Sequence, residues 1–283
     1  MPKTIEFEID QPKFAAALHA AVSVADRRSS NQPILASVLL RADAHGLSMT
    51  ATDMQVSVRE VLDAAAISHG GVCVNIAHLL NVVRSLPAKP LRVKGLDNHW
   101  ISVKTGRSEF KLMGQGPSDF PEIPEADKTC AWTTVPCAGL RDAIDRTMFS
   151  VSTDEARTNL NGLYIESTGQ RMTAVSTDGH RLTKLTAEAP FPKTDKIIIP
   201  RRGLAELRKL IDKRPGEVAM ASNGPSGHLF VRAGQAHLSI KLNNVVFPPY
   251  EQVIPKNSQR RAVADRAELL AVLKRSEMMA PEK

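Results

Sequence analysis

Apolar positions along the chain follow two rhythms. Spacings of three and four recur in four stretches and place apolar side chains on one face of a helix. These stretches carry Phe14, Leu18, Ala21 and Val22; Ile76, Leu79, Val83 and Leu86; Leu140, Ala143, Ile144 and Met148; and Leu204, Leu207, Leu210 and Ile211. Between and after them lie short strand-like runs: SVLLRA (37–42), GLSMTAT (46–52), VSVREV (56–61), LRVKG (91–95), WISVK (100–104) and EFKLM (109–113). Turns such as LDN (96–98) and TGR (105–107) bound them. Hairpin spacing between the runs argues for antiparallel sheet, and the mixture for an α+β fold.

The same order of elements occurs twice. KFAAALHAAVSV (13–24) overlays GLRDAIDRTMFSV (139–151), and LSMTATD (47–53) overlays MTAVSTD (172–178). NIAHLLNVVRSL (75–86) overlays PRRGLAELRKLI (200–211), ISVKTGRSEFKL (101–112) overlays LFVRAGQAHLSI (229–240), and Phe120-Pro121 overlays Phe247-Pro248. Each pair is weak alone, but all recur in order at a period of about 125 residues, which predicts two homologous domains. Their expected bounds are 1–127 and 128–255, each with two helices packed on about eight strands. The joins, FPEIPEADK (120–128) and FPPYEQVIPKN (247–257), have linker composition. A third copy begins at 256–283: LLAVLKR (269–275) overlays LRDAIDR (140–146). Asp265 with Glu268 three residues on predicts a capped helix from about 266. A lone helix has nothing to cover its apolar face, so that copy reads as incomplete.

Composition narrows the class. With 42% hydrophobic and 24% charged residues the chain is neither disordered nor membrane-spanning. The N-terminus, MPKTIEFEIDQPK, lacks the apolar core of a secretory signal. Cys73, Cys130 and Cys137 have no metal-site or disulfide spacing, and a reducing cytoplasm suits them. The net charge of +7 favours an anionic partner such as nucleic acid. Arg84, Arg141, Arg146, Arg201, Arg202, Arg208, Lys209 and Lys213 lie on the predicted helices. Asp142, Asp145, Glu206 and Asp212 interleave with them, so an ordinary solvated face fits as well. Equivalent helices of repeated domains could, however, join into one basic surface.

The segment STDGHRL (176–182) sets an acid, an imidazole and a guanidinium almost side by side. Catalysis by Asp178 and His180 would need the two side chains to meet, and residues two apart around a glycine turn need not. No nucleophile elbow, phosphate loop or metal-binding histidine pair occurs elsewhere. The equivalent stretch of the first copy is ATDMQVS (51–57). Thr-Asp persists, which marks it as a turn with the acid accepting backbone N–H groups. Gly-His-Arg-Leu is special to the second copy and suits a binding surface.

ARTNLNGLYIES (156–167), AVSTDGHRL (174–182), IIIPRRGLAEL (197–207) and FPPYEQVIPKN (247–257) together resemble the bacterial DNA polymerase III beta sliding clamp family, and the likeness runs from QPILASVLL (32–40) to the last residues. It implies a DNA-clamp fold and a non-catalytic processivity factor of the replicative polymerase. In that family two subunits of three similar domains pair head to tail, with helices lining a hole for duplex DNA. It implies a partner-peptide pocket formed by Arg157, Leu160, Thr177, Gly179, His180, Arg181, Leu182, Pro248 and Val253. It implies sequence-independent DNA contacts from Arg28, Arg84, Arg201 and Arg202, with Arg141, Arg146 and Lys209 beside them. It implies a subunit edge around Val103, Arg107 and Glu109.

The partners implied are the polymerase III alpha subunit, the clamp loader, other replication and repair proteins, and a second copy in a homodimer. Neither metal nor cofactor is implied, and the location is cytoplasmic. Where some members have a tyrosine pair before Leu-Asn-Gly, this chain has Thr158-Asn159. The incomplete third domain implies impaired ring closure for a chain of this length. Two other readings make different predictions. A soluble enzyme using Asp178 and His180 would lose turnover on His180→Ala, with a partner peptide irrelevant. A basic DNA-binding module without a ring would hold linear and circular DNA equally.

Overall fold

The computed structural model describes residues 4–26, 31–44, 46–128, 130–212, 214, 216–224, 227–256 and 259–280. They form two compact units, Met1–Phe247 and Pro248–Lys283. The first unit holds both full copies of the repeat. Copy one runs β1 (Glu6–Asp10), α1 (Gln11–Ala21), β2 (Ser37–Asp43), β3 (Gly46–Thr52), β4 (Val56–Leu62), β5 (Ala65–Ser68), β6 (Gly70–Asn75), α2 (Ile76–Ser85), β7 (Pro90–Gly95), β8 (Ile101–Thr105), β9 (Ser108–Leu112) and the two-residue β10 (Gly114–Gln115). Copy two runs β11 (Thr133–Pro136), α3 (Cys137–Thr147), β12 (Gly162–Ser167), β13 (Arg171–Thr177), β14 (Leu182–Glu188), β15 (Thr194–Pro200), α4 (Arg201–Asp212), β16 (Glu217–Ser222), β17 (His228–Ala233) and β18 (Ala236–Lys241).

The helices form where the three-four spacing predicts them. Asn75 caps α2, its side chain accepting from the N–H groups of Ala77 and His78 at 3.1 Å. Pro12 stands in the first turn of α1, where a missing N–H does no harm. Three predicted stripe positions fall just past their helices: Val22 is the C-cap of α1, Leu86 is the C-cap of α2, and Met148 starts a short 3-10 turn after α3. β1, β5 and β6 were not legible as strands. The β1 segment EFEID carries acids on its exposed positions and runs into α1 without a spacer, and β6 opens on Gly70-Gly71.

Antiparallel pairing joins the strands into three sheets, in the orders β5-β1-β7-β8-β9, β10-β6-β2-β3-β4-β18-β17-β16-β11 and β14-β13-β12-β15. The helices α1 and α2 lie side by side, as do α3 and α4, and each pair rests on the strands of its own copy. Two cores result. In one, Phe7 meets Phe14 edge to face at 6.0 Å among Leu18, Leu79, Val93 and Ile101; the other gathers Leu140, Ile144, Leu163, Ile197, Leu204 and Leu207.

The seam between the copies is a strand pair. β18 runs antiparallel to β4, with Leu238 opposite Val58, Ser239 opposite Ser57 and Ile240 opposite Val56. Val24 and Val56 of copy one are buried in the core of copy two, so the repeats share apolar interior as well as sheet. Three polar ties cross the seam. Arg202 pairs with Asp53 and donates to the Val24 carbonyl at 3.2 Å. The Ser23 hydroxyl donates to Glu206 at 3.0 Å, and Arg214 pairs with Glu60 at 2.6 Å.

The second unit contains a 3-10 turn, Tyr250–Gln252, and the helix α5, Arg266–Glu277. The expected cap forms at Asp265, which accepts from Ala267 and Glu268 N–H at 2.8 and 3.0 Å. No residue of α5 is buried, Leu269, Leu270, Val272 and Leu273 included.

Candidate docking turn and helix-borne cations

The turn between β13 and β14 is built by its own side chains. The Thr177 hydroxyl accepts from Gly179 N–H at 3.1 Å and donates to the Arg181 carbonyl at 2.8 Å. One oxygen of Asp178 accepts from the N–H groups of His180 and Arg181, both at 3.0 Å, and the other from Arg181 Nε at 2.8 Å. The two backbone N–H bonds, that of His180 first, and then Arg181 itself, hold the Asp178 carboxyl down to about 2. Gly179 has φ +93°, a conformation that side chains disfavour. Space does not demand a glycine there: an added Cβ would meet nothing nearer than Arg157 Nη1 at 3.8 Å.

The first copy builds the same turn. Thr52 accepts from Met54 N–H at 3.0 Å, and Asp53 accepts from Gln55 and Val56 N–H at 2.8 and 2.6 Å. Met54 takes φ +71° where the second copy has Gly179. Thr-Asp is thus a turn-forming device in both copies. The second carboxylate oxygen differs in use: Asp53 meets Arg202 across the seam, whereas Asp178 meets its own neighbour Arg181.

This arrangement does not make a catalytic pair. The Asp178 carboxylate is fully engaged by the turn and by Arg181, and the His180 ring has no side-chain partner among the described residues. What the turn offers is a surface. His180 and Arg181 are exposed, and Leu160 and Leu182 are half-buried. Arg157 pairs with Asp154 at 3.3 Å, and its carbonyl accepts from Leu160 and Asn161 N–H at 2.9 and 2.8 Å. Sequence reasoning missed Phe149. Its ring is 56% exposed, and the Arg181 guanidinium lies over it at 5.7 Å. The signal was present, because Phe149 directly follows the α3 stripe. Pro248 and Val253 belong to the second unit, where Val253 is exposed.

Most of the helix cations are already engaged. Arg201 donates to the Val151 carbonyl at 3.1 Å, Arg141 pairs with Asp212 at 3.2 Å, Arg146 with Asp142 at 2.7 Å and Lys209 with Glu206 at 2.7 Å. Arg208 bridges Asp145 and Asp212. Arg84 is exposed and has no side-chain partner among the described residues. Arg28 lies outside the described residues.

The expected subunit edge needs a correction. Val103 is wholly buried in the first core, because β8 sits between β7 and β9. The edge strand is β9, which carries Glu109 and the 41%-exposed Phe110, while Arg107 stands in the turn before it. Among the described residues no three metal-ligating side chains gather, and no helix is long and apolar enough to cross a membrane. Burial pushes the Cys73 thiol up to about 12, so it is an inert core group.

Comparison with solved structures gives the class: a DNA polymerase sliding clamp. The clamp of Bacillus subtilis superposes with a TM-score of 0.92 over 99% of this chain and 75% of that one; at 21% identity it speaks for the fold. The DNA polymerase III beta subunit of Pseudomonas aeruginosa superposes with a TM-score of 0.89 at 31% identity, over 98% of this chain and 75% of that one. Residues 5–124 match the N-terminal domain of the DNA polymerase III beta subunit, and residues 134–249 its central domain. The beta sliding clamp of Pseudomonas aeruginosa is 32% identical over 283 residues, 99% of this chain and 76% of that protein. That of Caulobacter vibrioides is 33% identical over 275 residues, 92% of this chain and 71% of that protein. The chain belongs to the DNA polymerase III beta subunit family, the beta sliding clamps, and spans about three quarters of those relatives' length.

Proposed function

We propose that the protein is the processivity clamp of a replicative DNA polymerase, a non-catalytic ring that encircles duplex DNA and tethers its partners. The observation that carries this reading is the seam. Two copies of one repeat join edge to edge through β4 and β18, leaving the equivalent edges, β9 and β14, at the ends of their sheets. A joint whose two halves differ repeats head to tail, and such contacts close into a ring when the rotation permits. The family resemblance supports reading that ring as a cytoplasmic homodimer of three-domain subunits, with the domains expected here at 1–127, 128–255 and from 256. β9, with Glu109 and Phe110, is the strand we assign to the subunit interface; an edge strand suits such pairing.

DNA is held without reading sequence, by charge alone, so the grip is weak and falls with salt. Arg84 is the best placed contact. Arg146, Arg202 and Lys209 keep more than half of their side-chain surface exposed despite their ion pairs, and Arg141 and Arg201 act mainly within the fold. The turn Thr177–Leu182, with Arg157, Leu160 and Phe149, is the docking site for short linear motifs of the polymerase alpha subunit, the clamp loader and repair proteins. The family resemblance adds Pro248 and Val253, which belong to the second unit. Leucines and an exposed aromatic ring give such a peptide its apolar anchor, and guanidinium stems give it a polar rim.

Primer extension on a primed single-stranded circle, with the matching polymerase and loader, tests the reading. Adding the protein is expected to lengthen the products of a single binding event, and the double variant His180→Ala, Arg181→Ala to remove most of that gain. Product lengths that ignore the protein would contradict it.

A further inference from the structure

The sheet face opposite the helices carries a second cluster that the clamp reading does not use. Along β4 and β18 side chains alternate between faces. Val56, Val58, Leu238 and Ile240 point into the shared core, so Ser57, Arg59, His237 and Ser239 face outward. The connection between the two copies passes over this outward face at Pro124 and Glu125. Two hollows remain beneath it, of about 230 and 190 Å3, and both are lined by Ser57, Pro124 and Ser239.

Ser239 is 94% buried by its 6% exposure, and its hydroxyl has no hydrogen-bond partner among the described residues. A buried hydroxyl without a partner is destabilising, so native structures rarely keep one without something to bond it. Its neighbour Ser57 is satisfied, sharing a 2.8 Å bond with Thr52. Basic groups flank the orphan in register. His237 lies between Arg59 and Arg232 on the adjoining strands, and Lys241 lies opposite His228. Arg59 is neutralised by Glu125 at 2.9 Å. Arg232 stacks on the Trp132 ring at 3.9 Å, which leaves its N–H edges available, and neither it nor Lys241 has an ion-pair partner among the described residues. Glu122 is the one remaining acid on the lining. The field at the site is positive: His228 and His237 are both held below the ordinary imidazole value, by burial first and then by Lys241 and by Arg232 with Arg59.

We infer that these adjoining hollows are an anion-binding site on the outer face of the seam. It takes a phosphate or carboxylate group between Arg232 and Lys241, with the Ser239 hydroxyl donating to it. The aromatic walls, Trp132 and Phe230, favour an anion borne on an apolar or planar body.

The test follows the imidazole resonances of His228 and His237, and Trp132 emission, in the intact protein. One arm titrates inorganic phosphate, the other an Asp- and Glu-rich tetrapeptide, each against chloride at matched ionic strength. An anion in the site opposes the local positive field, so both imidazole pKa values are expected to rise saturably. Loss of one charge-assisted hydrogen bond weakens binding about tenfold, so Arg232→Gln and Ser239→Ala are each expected to do so. Ser239→Ala leaves no buried group unpaired, so it is expected to fold as well as the parent. A response to phosphate alone assigns a phosphate-bearing ligand; a response to the peptide alone assigns an acidic segment of a protein. Imidazoles that move no further than in chloride, or variants that bind like the parent, would overturn the site.

Discussion

Arg202 is the most informative side chain to remove, because two readings of it predict different losses. In the structure it is a seam residue: Nε meets Asp53, and Nη2 donates to the Val24 carbonyl at 3.2 Å. The Asp53 side chain is 6% exposed. In Arg202→Ala one Asp53 oxygen keeps its bonds to Gln55 and Val56 N–H, while the other loses its partner in a nearly dry position. Stranding a buried acceptor costs about 1–3 kcal/mol. Half of the Arg202 side chain is in water, which screens the pair and puts the expectation in the lower part, about 1–2 kcal/mol. For a unit of this size that lowers the thermal midpoint by about 2–8 °C. The double variant with Asp53→Asn should lose less than the sum of the two single variants, by at least about 0.5 kcal/mol. Arg202→Lys separates the roles, because it keeps the charge for DNA but cannot span two acceptors. Urea denaturation followed by tryptophan fluorescence measures all of these. A loss below about 0.5 kcal/mol for Arg202→Ala, or strict additivity with Asp53→Asn, would refute the seam assignment.

Two glycines should fail for different reasons. Gly179→Ala has room but a positive φ, so it is expected to fold with a loss of about 1–2 kcal/mol; a much larger loss would show that the glycine serves space. Gly203→Ala drives a Cβ into the buried Ile240 side chain and is expected to cost about 1–3 kcal/mol by overpacking, with a thermal midpoint equal to the parent's contradicting that. His228 and His237 have folded-state pKa values below the unfolded 6.5, so the unfolded chain binds more protons there. Their contribution to stability is complete above about pH 6.5 and is lost as pH falls from there through the lowered values. His228→Gln with His237→Gln should flatten that slope in thermal melts, and an unchanged slope would contradict it.

Much of this was written in the sequence. The three-four stripes located all four helices of the full copies, because each buries one face on strands of its own copy. The internal repeat alone identifies Thr-Asp as a turn device, and Thr52 and Thr177 accept the equivalent backbone N–H in each copy. The seam was less legible. Nothing in VSVREV or AHLSIK announces that two strands so far apart in the chain will pair, since each alternates like an ordinary edge strand. The ion pairs were half legible. The acids interleaved with Arg141, Arg146 and Lys209 were visible in the chain, but which acid meets which cation depends on how the helices pack. Phe149 and Val103 erred in opposite directions. The first lies one residue past a helix stripe and is exposed, while the second lies one strand inside the edge and is buried.

The central claim is topological linkage to DNA, and one measurement addresses it directly. The protein is loaded onto nicked circular DNA with the matching loader and ATP, isolated by gel filtration, and the circle is then cut with a restriction enzyme. The account predicts retention on the intact circle and release through the new ends. That result would also set aside the expectation that a chain of this length closes its ring poorly. Equal retention before and after cutting, or loss from both forms, would contradict the clamp and leave only electrostatic contact with DNA.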